Sequence, residues 1–383
     1  MHRTASRLAA LGSFMFLVLA GASASAAPDA HAVADALVAA FGAPGKVVAS
    51  YADATASGDA ITITGFKVVQ PKRTGRELTV ASIVIVGAAE RQPGGYTAAS
   101  MTLSDGVTSY RHRAVTWQTA VVDNVVIPTA DEARSLSKAF LPFASASVSG
   151  IAIDGPEFAQ PIDVPKIDIS MTANANGEPN GATISAKDIH VPASAFSAPE
   201  VQGTMQGLGY TDLVISADFD MAFDTNADTL TLRALDVDIA DVGKLSITGA
   251  FSNVKVHGLV GSGADGKPAP RQAPSLGALS IRFDNSGVIE RALDMQAEII
   301  GTTREDMANQ WPMLFMLIVG GAGDMAFEEK LQTDLTTFLQ SPKSITVTLA
   351  PPTPVPLDQV AHSFNGDRTN LPETLGVDIS VNK

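Results

Sequence analysis

The stretch Leu213–Phe223, LVISADFDMAF, decides the fold. Leu213, Ile215, Ala217, Phe219, Met221 and Phe223 are apolar, and Ser216, Asp218 and Asp220 stand between them. A period of two puts the two sets on opposite faces of a strand, one face toward a core and one toward water. At about 3.4 Å per residue the strand is about 37 Å long, longer than most. DTNADT follows, then LTLRALDVDIADVGKLSITGAF, where Val237 and Ile239 alternate with Asp236 and Asp238. Two long strands around a polar turn read as a hairpin inside a meander.

Working outward, the same alternation marks strands at Ala60–Phe66, Glu77–Val86, Tyr96–Leu103, Val115–Ile127, Ile151–Ile153, Lys166–Thr172, Ala182–Val191, Leu279–Phe283, Ser344–Leu349 and Val377–Val381. ASGD, RQPGG and NANGEPNG supply turns between them. Connections this short make the strands antiparallel. DNVVIPT (Asp123–Thr129) and KDIHVPA (Lys187–Ala193) echo each other 64 positions apart, each a strand ending in proline ahead of a helix start. Thr129–Glu132 has the capping-box pattern of a helix running to about Leu141, and Ser197–Glu200 repeats the pattern before a short helix stopped by Gly207. Two β–β–helix units are expected. Helices concentrate at 287–340. Ile289, Leu293 and Ile300 form one stripe, Thr303–Asp306 reads as a cap, and Phe327, Leu331, Leu335 and Phe338 form a second stripe. The expected fold is α+β, mainly β: a long curved antiparallel meander sheet with several helices packed on it.

Charged residues are 17% of the 383 and hydrophobic ones 45%, the composition of a globular chain. Arg3 and Arg7, an apolar run from Leu8 to Ala20 and the small residues Ala24-Ser25-Ala26 give residues 1–26 the form of a Sec-type signal peptide cleaved near Ala26. The expected location is periplasmic or secreted, with no transmembrane anchor in the mature chain. Cleavage removes two arginines and no acid, leaving 24 basic and 40 acidic residues, a net charge of −16. That charge repels nucleic acid. With no cysteine, disulfides and thiolate metal sites are excluded. The sequence divides into 27–257, rich in strands, a Gly/Pro-rich loop at 258–274, and 275–383, which completes the same fold.

Motifs of chemistry fail on context. Gly261–Gly266 matches G-x-G-x-x-G, but Lys267-Pro268-Ala269-Pro270 forbids the helix a dinucleotide needs. Asp224–Thr229 opens like a calcium loop, yet Thr229 and Leu235 stand where glycine and glutamate belong. His31, His112, His190, His257 and His362 have no zinc spacing. Asp218/Asp220 and Asp236/Asp238 share strand faces, the arrangement a glycosidase pair could use, but alternate acids are ordinary on a wet face. No catalytic residue, metal ligand or cofactor is assigned.

The most apolar mature stretch is Trp311–Gly323, WPMLFMLIVGGAG. As a helix it is about 20 Å long, too short for a hydrocarbon core of about 30 Å. Two readings fit: a central helix buried on all sides and clasped by the sheet, or a segment that lines an apolar cavity or docks on a membrane. Trp311, Leu314, Phe315, Leu317 and Ile318 are the apolar-ligand contact candidates.

Asp224–Leu259 resembles the repeating strands of AsmA-like and YdgA-like periplasmic proteins, in which acidic-turn hairpins lead into x-x-G-x-L-x-L-x-G strands. SGVIERALDMQAEIIGTTREDM and TFLQSPKSITVTLAPPTPV are similar to end segments of such exported proteins. The resemblance covers about a third of the chain and carries no catalytic residues. It implies a long curved sheet with an apolar inner face, serving the envelope. The chain departs from those families in lacking their N-terminal membrane anchor. The leading expectation is a non-enzymatic envelope protein that binds a lipid or other apolar molecule. The alternatives are a scaffold module for an envelope protein, and a hydrolase.

Overall fold

The computed structural model describes residues 28–42, 46–71, 76–134, 142–175, 177–254, 274–319, 325–365 and 371–383. The signal-like segment, the GSGADG motif, nearly all of the 258–274 loop and Gly320, Gly321 and Gly323 lie outside the described residues. Helix α1 (Ala30–Phe41) comes first. It is followed by β1 (Val48–Ser50), β2 (Asp53–Ser57), β3 (Ala60–Val69), β4 (Glu77–Val86), β5 (Ala89–Glu90), β6 (Tyr96–Tyr110) and β7 (Arg113–Ile127). Then come α2 (Ala130–Arg134), β8 (Ser145–Asp154), β9 (Ile162–Ala173), β10 (Pro179–Pro192), a 3-10 turn (Ala193–Ala195) and α3 (Pro199–Gly207). The chain continues through β11 (Asp212–Asp224), β12 (Thr229–Ile239), β13 (Gly243–Ser252) and β14 (Ser275–Asn285) to α4 (Val288–Ile300), α5 (Arg304–Val319) and α6 (Met325–Gln340). It ends with β15 (Ser344–Leu349), β16 (Val355–Pro356), α7 (Leu357–Asn365), α8 (Leu371–Leu375) and β17 (Val377–Val381).

All 17 strands join one antiparallel sheet. Strands β6 to β14 pair each with the next, β14 then pairs with β15, and β15 with β17. On the other side β6 pairs with β4 and β4 with β3, while β1 and β2 lie end to end along β3. The sheet is open: among the described residues β2 and β17 have a strand partner on one side only. The mainly-β α+β meander expected from period-2 alternation is therefore present. The hairpin at Asp224 is closed by the Asp224 carboxylate, which accepts from the amides of Asn226 and Ala227 at 2.9 and 3.1 Å. That is turn chemistry rather than a calcium loop.

One feature of the register organises the whole sheet. Gly65 stands opposite Ala81, because Thr64 pairs with Ser82 and Phe66 with Val80. By the same bracketing, Ala81 faces Asp105, Asp105 faces Gln118, and Gly150 faces Pro165. In β10, Lys187 and Asp188 together oppose Ser216. Gly65, Asp105, Gly150 and Asp188 have φ of +62°, +51°, +62° and +54°. At each point the strand turns through a left-handed residue and the alternation slips by one. The slips are aligned from β3 to β10, so they form a crease across the sheet, and at Lys187–Asp188 the pairing register itself shifts as a bulge. On either side of it the apolar side chains keep to one face: Ile63 and Phe66 in β3, Ile83 and Val80 in β4, Val148 and Ile151 in β8. Asn124, at φ +52°, is a further slip in β7, and it occupies the position in DNVVIPT that Asp188 occupies in KDIHVPA. The sequence echo is thus an echo of backbone geometry.

The helices cover the two flanks of this face. Val33, Ala34 and Leu37 of α1 bury against Ile61, Ile63, Phe66, Val80, Ile83 and Ile85. Asp29 caps α1 by accepting from the Ala32 amide at 2.9 Å. At the other flank Leu331 and Leu335 of α6 pack on Ile345, Val347, Ile379 and Val381. The capping boxes at Thr129–Glu132 and Thr303–Asp306 are both formed, each acid bonding back to its threonine. The second echo is not: α3 begins at Pro199 with Ala198 as its cap residue and no side-chain cap bond. Proline at the first helical position needs no amide partner, so Ser197 is not called on. The expected Ile289–Leu293–Ile300 stripe is also corrected. Leu293 and Ala297 are buried with Ile289 packed on them, whereas Ile300 is 61% exposed, because the helix ends there in left-handed Gly301.

Candidate functional site

The pairing register builds a continuous apolar row across the sheet. Val122, Ala146, Ile169, Ile184, Phe219, Leu235, Ile247, Ile281, Val347 and Ile379 are direct cross-strand partners in succession. Beside it runs Val148, Ile167, Ala186, Ala217, Val237, Leu245 and Phe283. Directly opposed residues share a face, so both rows lie on the face that carries α1 and α6. Under α1 that face is sealed. Over β8–β14 it is half-open: Val148, Ile167, Ala217, Phe219, Leu235 and Ile281 are half-buried, and Ile184 is 40% exposed. The seven strands span about 29 Å at about 4.8 Å per spacing.

Across the crease burial changes abruptly. Ile151, Val164 and Val191 are buried, while Val148, Ile167 and Ile184 on the far side are not. The cause is the cover at that end. Ala195 of the 3-10 turn, Phe158 and Phe196 pack on Ile162, Val191, Leu213 and Ile215. Met205 and Tyr210 continue the cover, the Tyr210 hydroxyl donating to the Asp241 carbonyl at 2.9 Å. Trp117 crosses β6 on this face, its ring filling the space over Gly106, where a Cβ would sit 1.9 Å from the indole.

The opposite face is polar and ion-paired. Asp218 and Asp236 are direct partners in β11 and β12, an arrangement of like charges offset by Lys187 on Asp218 and Lys244 on Asp236. The hydrogen bond from Lys187 holds Asp218 below the usual carboxylate range, and that from Lys244 does the same for Asp236. A glycosidase acid needs the opposite shift. At the crease a depression of about 520 Å³ is lined by Asp105, Gly106, Thr116, Gln118 and Asp163 together with Trp117, Ile151 and Val164. His31 contacts the Tyr51 hydroxyl at 3.2 Å and His190 the Asp212 carboxylate at 2.9 Å, both on the surface. Among the described residues no group of three or more His, Asp or Glu is placed to hold a metal ion.

The residues expected to contact a ligand lie in α5. Trp311 packs on the cluster of Leu293, Ala297, Met307 and Ala308, on which Ile289 of α4 and Leu339 of α6 also pack, so α4, α5 and α6 share one core. Leu314, Phe315, Leu317 and Ile318 continue the helix, and their side chains lie outside the described residues. The expectation of burial on all sides is corrected at Met313, which is 60% exposed. The reason is position: α5 packs in a helical layer with α4 and α6 rather than inside the sheet. No described helix is long and apolar enough to cross a membrane.

A family model described as "Uncharacterized protein" matches residues 236–382, from within β12 to the end of β17. No curated protein matches the chain.

Proposed function

We propose that the open apolar face of β8–β14 binds an acyl-chain lipid or a similarly apolar molecule, and that the protein acts without catalysis in the bacterial envelope, exported by its signal-like N-terminus. The observation that supports this is the register-aligned apolar row, covered by helices at both flanks and uncovered between them among the described residues. Monomeric proteins rarely leave a contiguous apolar patch of this extent to water. The along-strand depth also suits a lipid tail. Ala217 to Phe223 is about 20 Å, against about 15 Å for one leaflet of a bilayer core. The similarity to AsmA-like strands implies the same envelope setting. The net charge of −16 for residues 27–383 disfavours anionic surfaces, so the apolar tail rather than an anionic headgroup carries the attraction.

The test is native mass spectrometry of protein purified from periplasm without detergent, with solvent extraction of whatever is bound. A stoichiometric lipid mass is expected. An apo mass that also takes up no added lipid overturns the proposal.

A second reading, a scaffold for an envelope protein, is favoured by the edges. The β17 edge is plugged by Lys330, whose ammonium bonds the Ile379 carbonyl and pairs with Asp334 and Asp378. Among the described residues β2 pairs with β3 alone, which leaves its outer edge to accept a strand. A pull-down in which a β2-edge proline substitution abolishes capture of one defined partner separates this reading from the first.

A further inference from the structure

The aligned slips do more than change the alternation. They mark the line where the apolar face passes from open to sealed, and they do so in three adjacent strands. In β8 the change falls between Val148 and Ile151, and in β9 between Ile167 and Val164. In β10 it falls between Ile184 and Val191. A hydrocarbon chain lying along the strands from the Asp224 turn would meet Phe223, Met221, Phe219 and Ala217 in order. At Ile215 it would run into the packing of Ile162, Val191 and Ala195.

We infer that the crease is the end-stop for the bound chain, and that Ile215, Val191 and Ile162 are its length-determining residues. This rests on the lipid reading above and deepens it: the ligand is a linear acyl chain lying along the strands, its terminal methyl against the crease. Ala186 and Ala217, direct partners just on the open side, leave the low point where that methyl sits. Each methylene placed on the open face raises affinity about fourfold. A chain too long for the space gains nothing further, because its extra carbons stay in water or must displace a close-packed cluster.

The experiment is a titration of the full mature protein with saturated fatty acids graded in chain length, read by calorimetry. Affinity is expected to climb about fourfold per methylene and then break to a plateau. Ile215→Ala removes three carbons from the stop and is expected to move the break to chains about three methylenes longer. Ala186→Leu fills the low point from the open side and is expected to move it to shorter chains. This second variant keeps the buried cluster intact, so it answers even if Ile215→Ala does not fold. Fatty-acid binding without a break, or with a break that Ala186→Leu leaves in place, overturns the end-stop while leaving lipid binding standing. No binding at any length overturns both.

Discussion

The contrast between Ile184 and Phe66 gives the sharpest check on whether the β8–β14 face is open in solution. Phe66 is 2% exposed and sits among Val80, Ile61 and the α1 side chains. Truncating it to alanine leaves a cavity and should cost about 3–5 kcal/mol. Ile184 occupies the same face but is 40% exposed. Full burial of an isoleucine is worth about 1.5–3 kcal/mol, so the buried part of Ile184 is worth about 1–2 kcal/mol at most. Ile184→Ala should therefore cost well under half of Phe66→Ala. The assay is urea denaturation of delipidated protein followed by circular dichroism, comparing midpoints at constant slope. Adding lipid should raise the midpoint of the wild type and of Phe66→Ala alike, and raise that of Ile184→Asp less. Equal losses for Phe66→Ala and Ile184→Ala in lipid-free protein would refute the reasoning, since the middle of the sheet would then be sealed.

Other perturbations probe single devices. Gly106→Ala drives a methyl into the Trp117 ring, so a loss of about 1–3 kcal/mol and a red shift of tryptophan emission are expected. Lys330→Met keeps the apolar stem but removes the charge that plugs the β17 edge; concentration-dependent self-association in sedimentation velocity is the expected result, and a strictly monomeric variant would argue against the guard. The Glu132 carboxylate is held below the usual range, first by the Thr129 amide and then by Arg91. A depressed acid stabilises above its unfolded pKa and loses that contribution as pH falls through the folded one, so Glu132→Gln should flatten the acid limb of stability below about pH 4.3. Thr129→Ala removes the other half of that box and should cost about 1 kcal/mol by thermal unfolding.

The strands were legible because each carries its own signal. Alternation in Leu213–Phe223 or Glu77–Val86 needs no knowledge of neighbours, and the predicted bounds of β4, β15 and β17 agree with the structure. Two of three predicted caps formed for the same local reason. The failures share a different cause. Ile300 has the right helical period, but exposure depends on what packs alongside. Met313 is apolar within an apolar run, yet a helix in an outer layer keeps one side wet. The crease was hidden because the alignment of the slips depends on which residues lie opposite one another. Its trace in the sequence is the parity slip from Ile83 to Val80, or from Val148 to Ile151, with Gly65, Gly150, Asp105 and Asp188 near the slips. Trp311 stands out in the sequence for its apolar neighbourhood, while Phe219 reads only as strand face and Leu235 only as a position where a calcium loop fails. Which part of a face goes uncovered is a property of the assembled fold.

Because nearly every strand pairs with its successor, the order of the sheet is the order of synthesis. The growing chain always finds a finished edge to extend, so the search at each step is short and folding can keep pace with emergence from the N-terminus. The α1–β7 block, with the largest buried cluster, is the seed. Later strands contribute increments that depend mainly on the neighbour already in place, as links in a chain do. Loss of order should then run backwards. Amide hydrogens in β15 and β17 should exchange first and those in β3, β4 and β6 last, a gradient written along the polypeptide rather than from surface to centre.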